Sequence, residues 1–178
     1  MEPGENQLEL WSRMCVLYQR TGIAPALLEL QARYSLDVPL FLGVLLAAVS
    51  GISLDEEDIA DIIKQVSGWR QAVIIPLRNT REAVKSFTGM TDRVDVVGLR
   101  EAIKKVELDA ERVEVGFLET LLVRECRTTE QLSFEQISAI ALSVLRCSGH
   151  RSDNVLPALA AHVVEEAISL YDASGAQV

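Results

Sequence analysis

The sequence predicts an all-α fold: a single bundle of six to seven helices around one buried helix at about residues 38–50. Two observations support this fold class. The run PLFLGVLLAAVSG is apolar on every face, and a helix of that kind must be surrounded on all sides. Elsewhere apolar residues return every three or four positions, which is the helical period, and we find no convincing strand.

The central run is about a dozen residues long, which is shorter than the roughly 20 residues that cross a bilayer. Pro39 suits a first helical turn, where its missing N–H would have no partner, and Gly51 suits the C-terminal stop. We therefore predict the buried helix of a soluble domain. Asp37, just before it, is interpreted as its N-cap or as a partly buried acid facing an arginine.

Two helices are predicted before the central one, over Leu8–Arg20 and from about Ala24 onward, after five disordered residues at the N-terminus. The connections among these first three helices are short, so we expect them to pack as antiparallel neighbours. Their predicted core residues are Leu10, Met14, Leu17, Leu27, Leu28 and Leu30.

After the central helix, Ser53 and Glu56 match a capping box, and Ser67-Gly68 should end or bend the helix that follows. The next predicted helix, Trp69 to Phe87, should be kinked at Pro76. At 100° per residue it has two adjacent faces, each about 80° wide. The apolar face carries Trp69, Val73, Leu77, Val84 and Phe87. The basic face carries Arg70, Arg78, Arg81 and Lys85.

Residues 88–94 are the best candidate boundary within one domain of 178 residues, with sub-lobes at about 6–88 and 95–171. A long helix follows, from about Asp95 to Arg124, whose apolar stripe is wider than one packing neighbour needs and could form a homodimer interface. The stripe consists of Leu99, Ile103, Val106, Ala110, Val113, Phe117 and Leu121.

Two more helices complete the bundle. Ser133 and Gln136 predict a second capping box for the first of them. Residues 152–154 offer N-caps for the last helix, which should end near Tyr171.

Composition excludes several function classes. A net charge of −9 argues against non-specific binding to nucleic acid or to anionic membranes. Cys15, Cys126 and Cys147 are far apart and form no CxxC, so we expect them to pack as small apolar side chains. The N-terminus lacks a signal-peptide pattern, so we expect the cytoplasm.

The sequence predicts no catalytic residue, no metal and no cofactor. Phosphate-binding loops, dinucleotide fingerprints and nucleophile elbows are absent from it. Carboxylate pairs such as Glu165 and Glu166 are best interpreted as a solvated face, because a helical di-metal site needs Glu-x-x-His and neither His150 nor His162 has a glutamate three residues before it.

The basic face is the most informative local feature. Arginine binds phosphate and carboxylate bidentately, so Arg70, Arg78, Arg81 and Lys85 could form an anion-binding surface. The alternative is a solvated face paired with the protein's own acids, such as Asp58, Asp61 or Glu82. Aromatic residues could line a pocket nearby or could simply form core edges. They are Trp11, Tyr18, Tyr34 and Trp69.

The first half of the chain also carries a recognisable pattern: Leu10-Trp11, then LYxRxGxA from Leu17, LLxLQ from Leu27, Asp37-Val38, and WRxxVxxPLRxxRxxxK from Trp69. Over about residues 8–87 it resembles a proteobacterial family of conserved hypothetical proteins with a domain of unknown function. Asn usually follows the Asp-Val pair in that pattern, whereas this chain has Pro39.

The resemblance implies a small cytoplasmic helical protein and no particular activity. Its polar and aromatic positions fall on the first, second and fifth helices, and a polar cleft would form if those helices converged. These positions are Trp11, Tyr18, Arg20, Gln31, Asp37, Trp69, Arg70, Arg78, Arg81 and Lys85.

The function that follows is a non-enzymatic binding or adaptor protein of the cytoplasm. It would hold an anionic ligand or a protein partner through the basic face or the long helix. One alternative is an enzyme for phosphorylated or carboxylated small molecules in an arginine-lined cleft, with Asp37 as its acid or base. A third is peripheral membrane association through residues 38–49, which the net charge disfavours.

Overall fold

The computed structural model describes residues 9–87, 93–124, 131–149 and 155–175. These ranges contain eight α-helices, one π-helical turn and no β-strand, which confirms the all-α class. The helices α4 and α5 continue through the π-turn, so the described chain forms seven separate rods. The elements are α1 (Leu10–Tyr18), α2 (Ile23–Tyr34), α3 (Val38–Val49), α4 (Glu56–Trp69), the π-turn (Arg70–Ile74), α5 (Ile75–Ser86), α6 (Val94–Arg124), α7 (Phe134–Cys147) and α8 (Ala158–Gly175).

Helix α3 lies at the centre of the bundle, as its composition predicts. Every residue from 39 to 49 is buried, and the helix packs against α1, α6, α7 and α8. Pro39 stands in its first turn, and Asp37 caps its N-terminus. Buried side chains from every α-helix except α5 join it in one hydrophobic core.

The local signals for helix ends were right in part. Ser133 and Gln136 form the second capping box. The first box was placed wrongly, because Asp55 is the N-cap of α4 and pairs with Asp58. Ser67-Gly68 does not end this helix either. The chain continues into the π-turn, where the N–H of Ile75 donates to the carbonyl of Arg70, five residues earlier. The proline that follows has no N–H for an ordinary helical bond, and the wider turn absorbs that loss.

Helix α6 has the predicted extent, but of its predicted stripe only Ala110 and Leu121 are buried. Its buried residues are Glu107, Ala110, Glu114, Val115, Leu118, Leu121 and Leu122. Of the predicted stripe, Leu99, Val106, Val113 and Phe117 are exposed instead. Helix α5 has no buried residue, and the ends of its predicted apolar face, Trp69 and Phe87, are exposed.

Three further residues predicted to be internal are at the surface. Leu28 is exposed, and Cys15 and Cys147 are exposed free thiols. Some predicted features lie outside the described residues. They are Cys126, His150, the predicted disordered N-terminus, the N-caps at 152–154 and residues 88–92 of the boundary predicted at 88–94. Within the described ranges no single helix has the length and apolarity to span a membrane, although α2 and α3, bent by 118°, pass that test as a pair.

The crossing of α3 over α6 depends on a glycine. A Cβ built on Gly43 would lie 2.4 Å from Cδ2 of Leu118, whereas one built on Gly116 would meet nothing within 4 Å. We expect Gly43→Ala to lower the free energy of unfolding by about 1–3 kcal/mol through overpacking. The control Gly116→Ala should raise it by about 0.5–1 kcal/mol, because alanine favours the helix. Denaturant unfolding measures both, and equal effects would contradict this account of the crossing.

Candidate functional site

A buried corner between α2 and α3 anchors the charged part of the molecule. Asp37 Oδ1 accepts a hydrogen bond from the N–H of Leu40 at 3.3 Å. Its Oδ2 lies 2.7 Å from Nη1 of Arg70, which reaches over from the π-turn. Arg70 and Gln31 also donate, each at 3.5 Å, to the carbonyl of Leu36. Both interpretations of Asp37 therefore hold, because it is an N-cap and a buried partner of an arginine.

A second set of ion pairs joins α5 to α6. Arg78 donates at 2.8 Å to both Glu107 and Glu111. Arg81 donates to the other oxygen of Glu107 at 2.6 Å and also pairs with Glu82 on its own helix. Two arginines of the predicted basic face thus bind acids of the long helix. Since α5 has no fully buried residue, these ion pairs hold it against α6 together with its half-buried apolar side chains, Ile75, Leu77 and Val84.

Glu114 is the one buried acid of this region that has no partner among the described residues. Its side chain is 1% exposed, and neither carboxyl oxygen has a hydrogen bond. Burial, followed by the negative charge of Asp37, raises its pKa to about 8. Glu114 is therefore mostly protonated at neutral pH.

The charges of this region balance only if one acid keeps a proton. Among the described residues, three guanidiniums face four buried or half-buried carboxyls. The guanidiniums are Arg70, Arg78 and Arg81, and the carboxyls are Asp37, Glu107, Glu111 and Glu114. We call these seven residues the charge cluster. With Glu114 neutral its formal charge is zero, which suits a site where an unpaired charge is costly.

The pKa directions of the other acids depend on whether burial or the arginine partners have the larger effect. Burial raises the pKa of Asp37 although Arg70 opposes it, and burial likewise raises that of Glu111 against Arg78. For Glu107 burial is outweighed, because hydrogen bonds from Arg81 and Arg78 lower its pKa. Burial and the charge of Glu111 raise the pKa of Tyr18, which places this tyrosine at the edge of the cluster.

The predicted site residues converge in part. The residues that lie in or beside the charge cluster are Tyr18, Gln31, Asp37, Trp69, Arg70, Arg78 and Arg81. The remaining positions lie apart from it. Lys85 is exposed and 3.9 Å from Glu82, Arg20 pairs with Glu166 of α8, and Trp11 packs half-buried against the core.

Sequence reasoning missed the three glutamates of α6. Glu107, Glu111 and Glu114 fall within an arc of about 60° on a helical wheel, which is the signal that could have revealed them. The acids expected to neutralise the arginines were Asp58, Asp61 and Glu82, and Glu82 alone of these pairs with one.

The face of α6 beside these glutamates is apolar and open. Leu99 is 53% exposed, Val106 50%, Val113 57% and Phe117 45%. We call these four residues the α6 seam. At its C-terminal end lies a pocket of about 260 Å³ between α4 and α6, lined by Val66, Trp69, Val113, Glu114 and Phe117. Trp69 is fixed there by a 3.0 Å hydrogen bond from Nε1 to the carbonyl of Ala110.

Comparison with known protein families assigns the chain to one of them. The family described as "Protein of unknown function (DUF2390)" matches residues 9–118, more than half of the sequence. The chain belongs to this family. No curated protein and no solved structure matches it significantly. The expected membership of a family of unknown function is confirmed, and the proteobacterial origin stays a prediction.

The DUF2390 match contains both features described above. All seven residues of the charge cluster and all four of the α6 seam lie between residues 9 and 118. Helices α7 and α8 follow the matched range. Among the described residues no group of three or more His, Cys, Asp or Glu side chains could hold a metal ion.

The Asp37–Arg70 pair should be structurally costly to break. Arg70→Met leaves Asp37 buried without its partner, so we expect a loss of about 3–5 kcal/mol in the free energy of unfolding. The exposed pair Arg93–Asp95 provides the control, because Arg93→Met should cost less than about 1 kcal/mol. Asp37→Asn should recover part of the loss when combined with Arg70→Met. Similar costs for the two arginines would contradict a buried pair.

The raised pKa of Glu114 predicts a pH dependence. Between about pH 5 and 8 the unfolded chain has lost this proton while the folded chain keeps it, so rising pH favours unfolding. The free energy of unfolding should fall across this window. Glu114→Gln, which imitates the protonated acid, should remove on the order of 2 kcal/mol of that fall. Exposed Glu101→Gln should leave the slope unchanged. A wild-type slope in Glu114→Gln, measured by denaturant unfolding, would refute the assignment.

Proposed function

We propose that this chain is a non-enzymatic binding protein of the cytoplasm, and that it binds an amphipathic helix along the α6 seam. The observation that carries the proposal is the 45–57% exposure of four large apolar side chains in one row. A row of this kind on a soluble domain marks an interaction surface more often than isolated apolar residues do.

The spacing of the row suits a helix as the partner. Leu99, Val106 and Val113 are seven residues apart, and Phe117 follows after four. With Ile103 and Ala110 between them they form the two alternating positions of a coiled-coil heptad. Over 19 residues the row extends about 28 Å. Recognition of a helix uses anchors at this spacing.

The ion pairs of the basic face make an anionic ligand the weaker candidate. Arg78 and Arg81 are both bound to Glu107, and Arg70 is bound to Asp37. A phosphate or carboxylate would have to displace one of those acids from its guanidinium. Lys85, which is 59% exposed, is the member of this face most open to solvent.

An enzymatic role has less support for a similar reason. Glu114 has a strongly raised pKa, which is common among catalytic acids. However, both of its carboxyl oxygens are buried, and a proton donor must come within hydrogen-bond reach of its substrate. Glu114 is better explained as the neutral member of the charge cluster.

The cytoplasmic location is supported by the thiols. Cys15 and Cys147 are both free and exposed. Exposed unpaired thiols persist in a reducing compartment, whereas secreted domains tend to oxidise or pair them.

Binding along the seam predicts a matched pair of variants. Val113→Glu puts a charge in the middle of the seam, whereas Val97→Glu puts one on another face of the same helix, where Val97 is 46% exposed. Wild-type chain is used to enrich binding proteins from the native host, including untagged copies of the chain itself. We expect the recovery of these proteins to fall at least about tenfold with Val113→Glu, because a loss of about 1.4 kcal/mol in binding free energy is tenfold in affinity. Recovery with Val97→Glu should equal that with the wild type.

The measurement is quantitative mass spectrometry of the enriched proteins, followed by titration of a synthetic helix from the strongest one. Equal recovery with both variants would refute the seam as the binding surface. Melting temperatures within a few degrees of wild type show that neither variant acts by unfolding.

A further inference from the structure

We propose that the helix bound along the α6 seam is α6 of a second copy, running antiparallel across a two-fold axis near residue 108. This inference rests on the proposed function, because it names the occupant of the same surface. A two-fold axis requires one surface to be complementary to itself. The α6 seam meets that requirement when Ile103 and Ala110, which lie between its members, are included.

The register follows from the spacing of the row. In an antiparallel pair centred on residue 108, the numbers of two facing residues add to 216. In this register each apolar position of the row faces another apolar position. Leu99 lies opposite Phe117 of the second copy, and Ile103 lies opposite Val113. Val106 lies opposite Ala110, whose side chain is only 7% exposed in the single chain. These contacts and their symmetric equivalents use all six positions between 99 and 117, with no polar residue in the row.

The pocket beside Trp69 receives its occupant in the same register. Its walls include Val113 and Phe117, and these residues face Ile103 and Leu99 of the second copy. A volume of about 260 Å³ has room for one such aliphatic side chain. The pocket and the row therefore form one continuous surface. The aliphatic residues at the N-terminal end of the row in one copy fit the pocket at its C-terminal end in the other.

The outer edge of the row permits close approach. Ala102 and Gly116 lie beside the seam on a helical wheel and face each other across the axis. A Cβ on Gly116 would meet nothing within 4 Å in the single chain, so this edge is open. Small residues at such an edge let two helices come near without displacing their apolar rows.

Size and charge set the expected strength. One helix pair of about 28 Å gives an interface at the small end of specific protein contacts. The charge of −9 on each copy opposes association at low ionic strength. We therefore expect a dissociation constant on the order of 1–10 μM, with tighter association as salt screens the repulsion.

Sedimentation equilibrium of the full chain, across about a hundredfold range of concentration, tests the dimer. We expect a mass rising from 19.6 kDa towards twice that value. Val106→Glu with Val113→Glu should weaken the dimer at least about a hundredfold, equivalent to about 2.7 kcal/mol. Val97→Glu should leave it unchanged. A monomer at every concentration, or equal weakening by Val97→Glu, would overturn the proposal.

Disulfide trapping tests the register. In a chain with Cys15, Cys126 and Cys147 changed to serine, Asp109→Cys lies beside its own copy near the axis and should cross-link. Gly98→Cys lies far from its copy in an antiparallel pair and should not. Failure of Asp109→Cys to cross-link, or efficient cross-linking of Gly98→Cys, would overturn the register.

The two proposals fail in different ways. If the chain is monomeric but enrichment from the host still depends on Val113, the second copy is the wrong occupant and the seam remains a binding surface. If enrichment is insensitive to Val113→Glu as well, the proposed function fails.

Discussion

The ion pair between Asp37 and Arg70 is the interaction on which the arrangement of this molecule depends. It joins the start of the central helix to the π-turn at 2.7 Å, and it brings an arginine and an acid into the interior together. Burying charges is favourable only when each has a partner. The rest of the charge cluster follows from that requirement: Arg78 and Arg81 find glutamates on α6, and the remaining acid, Glu114, keeps its proton.

The same requirement explains which face α6 presents to solvent. Its glutamates and its apolar row lie on neighbouring faces, about 80° apart on a helical wheel. The helix can turn only one of them fully towards α5 and the core. If the apolar row turned inward, Arg78 and Arg81 would lose Glu107 and Glu111 as partners. Because unpaired charges at this interface are costly, the glutamates turn inward and four apolar side chains are exposed. The exposure of the α6 seam is therefore a consequence of the burial of the α6 glutamates.

Much of the fold could be predicted from the sequence, because periodicity reports burial directly. Helix α3, whose residues 39–49 are all buried, and the Ser133–Gln136 capping box are examples of signals within a short stretch. The choice between two faces of one helix is different. The apolar stripe of α6 predicted only part of the buried face, Ala110 and Leu121. Pairing of the neighbouring glutamates with an arginine some 30 residues earlier outweighed the rest of the stripe. The resemblance predicted that Asp37 and Arg70 could converge. The burial of Glu114 without a partner could not be predicted, because it depends on how the helices pack in three dimensions.

The π-turn at Arg70–Ile74 has a consequence for how the chain tolerates insertions and deletions. A π-turn holds one more residue than an α-helical turn, and each residue of a helix advances its side chains by 100°. Deleting a single residue there would restore an ordinary helix and leave the phase of α5 relative to α4 unchanged. Closing the turn to an α-helical one with every residue kept would instead rotate all of α5 by about 100°. Arg78 and Arg81 would then face away from α6 while Arg70 stayed in place. The π-turn therefore sets the rotation of α5 about the axis that it shares with α4. Only with that rotation do Arg70 before the turn and Arg78 and Arg81 after it point into the same charge cluster.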